Sequence, residues 1–299
     1  MPEQPLPEID SLWDYAHPAA SEAAFRTVLE RPEAADPQRI TYRLEVLTQV
    51  ARAQGLQRLY DDCHVTLDAV ERELPTDDHY GGRQRVRARL LLERGRAFRD
   101  AGRPDEAKRC FREVVEVADA SRSHDGLSVD AMHMLGIMDP PAEAAEWNER
   151  ALEVVKRSDD KAVRRWYGSL MNNQGWTLHK LGRYRDALPL FQMIAHVFEV
   201  EGRFERARIA KYAVAKTLRM LGQFDKALAM QQAVAVESKE PDGYVHEELA
   251  ECLLALGRGE EAREHFRTAH GLLSADPWFP TDEAARLERM KALAEGAAS

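Results

Sequence analysis

The chain has 299 residues, of which 44% are hydrophobic and 31% charged, a composition typical of a soluble folded protein rather than a disordered one. Its formal net charge of -9 argues against a general attraction to nucleic acid or anionic lipid, which needs a surplus of lysine and arginine. Three cysteines, Cys63, Cys110 and Cys252, are too few and too scattered for a disulfide framework or a thiolate metal site. They favour a reducing compartment.

The N-terminal residues predict a capping segment rather than a targeting signal. They have neither a basic start nor an apolar run, so we expect no signal peptide. No apolar stretch approaches the roughly 18 residues that span a bilayer, and we therefore expect a cytoplasmic protein. Residues 1–10 are rich in proline, and residues 11–30 predict one or two short helices. The first predicted part of the chain, residues 1–35, is thus an N-terminal segment with a capping helix.

Four segments between residues 95 and 266 align with one another. Each has a glycine followed five residues later by an alanine, and in three of them a phenylalanine stands four residues further on. The glycines are Gly102, Gly182, Gly222 and Gly257, the alanines are Ala107, Ala187, Ala227 and Ala262, and the phenylalanines are Phe111, Phe191 and Phe266, with Gln231 in the third segment instead. This pattern predicts helical hairpins that turn at the glycine. The alanine removes bulk where two helices cross, and the phenylalanine fills the gap to the neighbouring hairpin.

Two degenerate copies extend the series. One turns near Arg58, with Cys63 and Leu67 in the places of the alanine and phenylalanine, and the other turns at Asp139, before two prolines. Successive turns are then 35 to 44 residues apart. No compact α/β fold has such a period.

The pattern resembles the tetratricopeptide repeat family, whose signature is W-x2-L-G-x2-Y, then A-x3-F, then a closing proline. The matching residues are Gly95 and Phe98, Gly175 and Leu178, the three A-x3-F pairs, and Pro75. The spacing exceeds 34 residues on average, which is closer to kinesin light chain and to the peptide-sensing regulators of Gram-positive bacteria. The resemblance implies an all-α fold, a right-handed superhelical solenoid of about six hairpins over residues 36–275. Residues 276–299 then form a C-terminal capping helix.

Helical spacing places a polar stripe on the helix that contains the sequence MNNQGWTLHK, residues 171–180. Gly175 and Leu178 continue the apolar stripe toward neighbouring helices, whereas Asn172, Trp176 and His179 form a second stripe with Asn173 at its edge. The resemblance implies that this second stripe lines a concave, peptide-binding groove. The same offset in other repeats adds Arg89, Arg96, Arg99, His133, Tyr212, Lys216 and Arg219.

This set predicts the chemistry of the partner. A basic and aromatic groove favours a protein or peptide segment with acidic or C-terminal carboxylate groups. Adjacent asparagines at the place of Asn172 and Asn173 contact bound peptide in repeats of the kinesin light chain type. Alternatives remain open: the asparagines can bond an adjacent loop, Trp176 can pack between hairpins, and the arginines can pair with carboxylates of a neighbouring repeat.

Motifs for catalysis or metal binding are incomplete. The sequence HEELAEC, from His246, places Ala250 where a zinc-binding H-E-x-x-H helix has its second histidine, so we expect no metal site. No Gly-x-Ser-x-Gly or other nucleophile motif occurs. The sequence therefore predicts a protein that is not an enzyme and needs no cofactor.

Two further hypotheses accompany the prediction of a protein-interaction module. The solenoid of a signal-sensing regulator would bind a small peptide and act through a separate effector, as the resemblance to peptide-sensing regulators allows. RNA binding by helical repeats is disfavoured by the acidic charge and the uneven period.

Overall fold

The computed structural model describes residues 5–79, 82–121, 125–277, 279 and 283–296. Within these residues all regular secondary structure is helical, which confirms the all-α prediction. None of the helices described is both long enough and apolar enough to span a membrane. The chain forms two compact units, Met1–Tyr167 and Gly168–Ser299.

The first unit consists of an N-terminal cap and three hairpins. Its helices are α1 (Pro18–Leu29), α2 (Ile40–Leu56), α3 (Tyr60–Glu73), α4 (Arg83–Asp100), α5 (Pro104–Ser121), α6 (Asp125–Met138), α7 (Pro141–Arg157) and the short α8 (Lys161–Arg164). Three short 3₁₀ helices flank α1: Ile9–Leu12, Pro32–Ala35 and Pro37–Arg39. Helices α2 and α3, α4 and α5, and α6 and α7 pack as pairs.

The N-terminal cap covers the apolar face of the first hairpin. Phe25 of α1 is fully buried against Val46 and Val50 of α2. Upstream of α1, the indole Nε1 of Trp13 donates a hydrogen bond to the side chain of Gln49 over 3.1 Å. Burying this apolar surface gives the first hairpin the neighbour that every internal hairpin of a repeat protein has.

The second unit consists of three hairpins and a C-terminal helix. Its helices are α9 (Tyr167–Lys180), α10 (Tyr184–Val200), α11 (Phe204–Met220), α12 (Phe224–Glu237), α13 (Gly243–Ala255), α14 (Gly259–Ser274) and α15 (Ala284–Ala294). Helix α15 packs on α14 and buries Met290 and Leu293, while Ala285 is exposed. Trp278 and residues 280–282, within the predicted C-terminal segment 276–299, lie outside the described residues.

The predicted turns close the helices in the expected way. Gly102, Gly182, Gly222 and Gly257 have φ values between 72° and 75°, a conformation that glycine adopts without steric cost. Arg58 takes the same conformation at φ 63°, the only such residue other than glycine within the described part of the chain. The alignment of the repeats within the sequence missed one turn. Gly202, at φ 69°, ends α10 and separates it from α11.

Helix packing explains why the same spacing of glycine, alanine and phenylalanine recurs along the chain. The four alanines five residues after the turns are buried, as predicted for helix crossings. The phenylalanine, however, also packs within its own hairpin. The rings of Phe111 and Phe191 lie over Gly95 and Gly175 of the preceding helix, where an added Cβ would come within 2.6 Å of the ring.

Candidate functional site

The arginines predicted to line a groove in the first unit are paired with carboxylates of that unit. Arg89 lies 3.5 Å from the carboxylate of Glu45. Arg96 donates to Glu93 over 2.6 Å and to Asp130 over 2.5 Å, so it links α4 to α6. Burial opposes the charge of Arg96, but these two carboxylates outweigh it and raise the pKa of its guanidinium.

The remaining predicted residues of the first unit lie beside this network. Arg99 pairs with Asp100 over 2.7 Å and donates to the sulfur of Met134. His133 is half-buried, with its ring 5.1 Å from that of Trp166. Burial lowers the pKa of His133, which favours the neutral imidazole.

Glu93 is the shared acceptor of the network, and the sequence prediction missed it. Its side chain is only 5% exposed and lies between Arg96 and Arg52. Burial lowers the pKa of Arg52, whose distance to Glu93 is 3.5 Å. Glu45 and Arg52 occupy, in the first hairpin, the repeat positions of Arg89 and Arg96, so the same helical offset would have found them.

In the second unit, three helices each place one aromatic ring on a cavity of about 360 Å³. Trp176 comes from α9, Tyr212 from α11 and Tyr244 from α13, the first helices of the three hairpins. The other lining residues are Arg208, Ile209, Lys216, Asp242 and Arg286. Thus the structure brings together Trp176, Tyr212 and Lys216 of the predicted set with Tyr244, which has the equivalent position in the last hairpin, and with four residues that the sequence did not indicate.

The three other predicted residues of α9 lie around this cavity rather than on it. Asn172 and Asn173 are half-buried, and Asn173 interacts with other groups of the protein. His179 packs between two rings, with centroids 5.5 Å from Trp176 and 4.8 Å from Tyr184. Burial lowers the pKa of His179, and the nearby charge of Lys216 acts in the same direction.

A buried carboxylate holds two of the predicted cations. Glu248 of α13 accepts from Lys216 over 2.7 Å and from Arg219 over 2.6 and 3.1 Å, although its own side chain is 2% exposed. Burial alone would raise the pKa of Glu248, but Arg219 and Lys216 lower it below its ordinary value. The cluster therefore has two positive charges and one negative charge at the edge of the cavity.

The C-terminal helix supplies another part of the cavity wall. Arg286 of α15 donates to Glu247 and to Glu283, and its guanidinium lies 5.5 Å from the ring centre of Tyr244. Arg289 pairs with Glu251 in the same way. Glu247 and Glu251 of α13 are thus compensated by arginines of α15, and one of these arginines forms part of the cavity wall.

Tyr212, on the wall of the cavity, is half-buried. Burial raises the pKa of Tyr212 well above its ordinary value, with the charge of Glu248 acting in the same direction. The ammonium group of Lys216 lies 5.9 Å from the centre of its ring. Ile209, one turn before Tyr212, is by contrast 55% exposed. The cavity therefore combines a half-buried aromatic wall with an exposed aliphatic edge.

Comparison with known proteins identifies the repeat. Tetratricopeptide repeat models match residues 88–120 and 212–277. The apo form of RapI superposes with a TM-score of 0.72 at 10% identity, covering 96% of this chain and 79% of RapI. No curated protein matches the sequence significantly.

Two further solved structures share the fold. A STAND signal-transduction ATPase from Pyrococcus horikoshii, with a tetratricopeptide repeat sensor, has a TM-score of 0.69 at 14% identity, covering 92% of this chain and 42% of the ATPase. This chain thus spans less than half of that protein. TPR-like repeats of a Podosopora anserina protein named as a kinesin light chain have a TM-score of 0.52 at 16% identity, covering 66% of this chain and 95% of that one. Repeat pattern, helical hairpins and family models agree: the chain contains tetratricopeptide repeats.

Proposed function

We propose that the protein is a non-catalytic interaction module that binds a peptide segment of a partner protein at the cavity of the second unit. The observation that carries this proposal is the meeting of Trp176, Tyr212 and Tyr244 from three successive hairpins on one cavity. Aromatic side chains that stand partly exposed in a concave site contribute most of the energy of many protein interfaces.

The apolar lining selects an apolar side chain of the partner. A cavity of about 360 Å³ has room for one or two large side chains. Burying about 100 Å² of apolar surface there would stabilise the complex by roughly 2–3 kcal/mol. Ile209 extends the apolar contact beyond the cavity mouth because its side chain stands out from α11.

The charge at the cavity edge selects a negatively charged group beside that side chain. Lys216 and Arg219 share one carboxylate, and their side chains are 21% and 20% exposed. An acidic residue or a C-terminal carboxylate of the partner would complete the charge balance through charge-assisted hydrogen bonds. Asn172 and Asn173 continue the proposed site along α9, one turn before Trp176.

A peptide-display selection followed by calorimetry tests this proposal. Peptides selected on the intact protein are measured against Ile209→Ser and Lys216→Gln. We expect Ile209→Ser to weaken binding at least tenfold, and Lys216→Gln to weaken it mainly for peptides with an acidic group. Because Ile209 is exposed, its replacement leaves the fold intact.

Lys211→Gln is the matched control. Lys211 lies on the same helix but pairs with Glu199 and Glu237, away from the cavity residues. Its replacement should leave peptide affinity unchanged. Failure to select any peptide, or equal affinity for wild type and Ile209→Ser, would contradict the proposed site.

A sensor role is the second candidate. The solved STAND ATPase that resembles 92% of this chain carries a tetratricopeptide repeat sensor. If this chain were a sensor acting through a separate effector, a selected peptide would also change its conformation. Small-angle scattering with and without the peptide distinguishes the two: an unchanged profile favours a simple binding module.

A further inference from the structure

Two histidines of the last hairpin face each other. The Nδ1 atoms of His246, on α13, and His265, on α14, are 2.9 Å apart, and their ring centres are 5.1 Å apart. Both side chains are half-buried, so one side of the pair remains open to solvent. Neutral imidazole pairs its Nδ1 atoms in this way only if one ring carries its proton there and the other accepts it.

The other hairpins show that packing at these positions does not need histidine. His246 lies eleven residues before the turn at Gly257, and His265 lies eight residues after it. The corresponding pairs in the other hairpins with a glycine turn are Leu91 with Cys110, Met171 with Leu190, and Lys211 with Met230. Of the four hairpins with a glycine turn, only the last therefore has a histidine at both positions.

The separation of the two nitrogens matches two adjacent ligands of a metal ion. Imidazole nitrogens bind first-row divalent metals at about 2.0–2.1 Å, so two of them at a right angle are about 2.9 Å apart. Right-angled ligands are typical of square-planar or octahedral sites, the geometries of Cu²⁺ and Ni²⁺. A tetrahedral zinc site would hold the two nitrogens farther apart.

We propose that His246 and His265 form a two-histidine site for Cu²⁺ or Ni²⁺ that joins α13 to α14. The incomplete H-E-x-x-H motif at His246 thereby finds its second histidine on the next helix rather than on its own. In the part of the chain that the structure describes, no group of three or more histidine, cysteine or acidic side chains could hold a metal ion, so the proposed site has two protein ligands. Water completes the coordination on the open side.

The surroundings favour a cation at this pair. Asp242 lies one turn before His246, and Glu261 and Glu264 lie beside His265 on α14. Glu261 is already paired with Arg258 over 2.7 Å. Burial lowers the pKa of both imidazoles, which favours the neutral form that binds metal. Metal binding then requires only that the Nδ1 proton of one ring move to its Nε2.

Titration of the full chain, prepared without a histidine tag, tests the site with Ni²⁺ by calorimetry and with Cu²⁺ by electron paramagnetic resonance. We expect one ion per chain and, for Cu²⁺, splitting from two nitrogens. His265→Leu and His246→Met should each weaken binding at least tenfold. Leucine and methionine occupy the same positions in the fourth hairpin, so both variants keep the packing.

His196→Gln is the control for binding by surface histidines, because His196 is exposed on α10. It should bind the ion as wild type does. The proposal is overturned if wild type binds neither ion, or if His265→Leu binds as tightly as wild type. His246 and His265 do not line the peptide cavity, so Ile209→Ser should keep the metal affinity of wild type.

Discussion

Gly175 of α9 lies directly beneath the ring of Phe191 on α10, and a Cβ at residue 175 would be 2.6 Å from the ring. The ring reaches this depth because the glycine leaves room for it. Gly95 and Phe111 repeat the contact in the second hairpin. One residue type at the crossing thus decides how closely the two helices approach.

Gly175→Ala is therefore expected to destabilise the protein by about 1–3 kcal/mol, since the ring or the helices must shift. The measurement is urea unfolding followed by circular dichroism. Gly55→Ala is the control, because a Cβ at Gly55 meets nothing within 4 Å. That change should stabilise α2 by up to about 1 kcal/mol through helix propensity. Equal effects of the two substitutions would contradict the packing explanation.

Gln231 occupies the phenylalanine position of the fifth hairpin. Its side chain is fully buried, and neither its amide nitrogen nor its oxygen has a hydrogen-bond partner among the described residues. We expect Gln231→Leu to raise the free energy of unfolding by about 1–2 kcal/mol, because an unpaired buried amide is removed. Gln232→Leu, at an exposed neighbour, should change it little. Loss of stability in Gln231→Leu would show that the amide is satisfied.

Glu248 holds both Lys216 and Arg219, so its loss leaves two cations unpaired. Glu248→Gln is expected to destabilise the second unit by about 2–4 kcal/mol. The matched control is Glu260→Gln. Glu260 pairs with Arg263 but is 84% exposed, and its replacement should cost less than about 1 kcal/mol. Chemical denaturation of the two variants gives the comparison directly.

Stability should fall as the pH drops from 7 toward 5. Burial lowers the pKa of a group of histidines: His64, His133, His179, His246 and His265. In the unfolded chain these histidines have the ordinary pKa of 6.5, so below that pH the unfolded chain binds more protons than the folded chain does. Protonation therefore favours unfolding. Melting temperatures at pH 7.5, 6.5 and 5.5 measure this. His179→Gln should show a shallower decrease, and an identical decrease would remove His179 from the explanation.

The hairpins were predictable because their signals are local. A glycine that ends one helix and an alanine at the next crossing are set by neighbours within about ten residues. The missed turn at Gly202 carried part of the same signal, since Ala207 follows it by five residues. The alignment of the repeats missed this turn for two reasons. Lys211, not phenylalanine, stands four residues after Ala207, and the turn falls between two hairpins rather than within one.

The candidate site was less predictable, because long side chains pair across helices. Helical phase placed Lys216 and Arg219 near one another, but their partner Glu248 lies about 30 residues away. Arg286 is harder still to foresee. It belongs to the terminal helix, which does not follow the repeat, so no offset from another hairpin indicates what it contacts.

The left-handed turn at Gly202 has a consequence for how such a chain can change length. The backbone N–H of Arg203 bonds the carbonyl of Phe198 over 2.8 Å, the same closure that Arg183 makes to Leu178. The turn within a hairpin, at Gly182, and the turn between hairpins, at Gly202, thus close in the same way. A duplicated pair of helices could therefore begin after either glycine and still be joined to its neighbours by the same kind of turn. Gene duplication or engineered insertion can thus add a helical hairpin in this stretch without requiring a new type of turn.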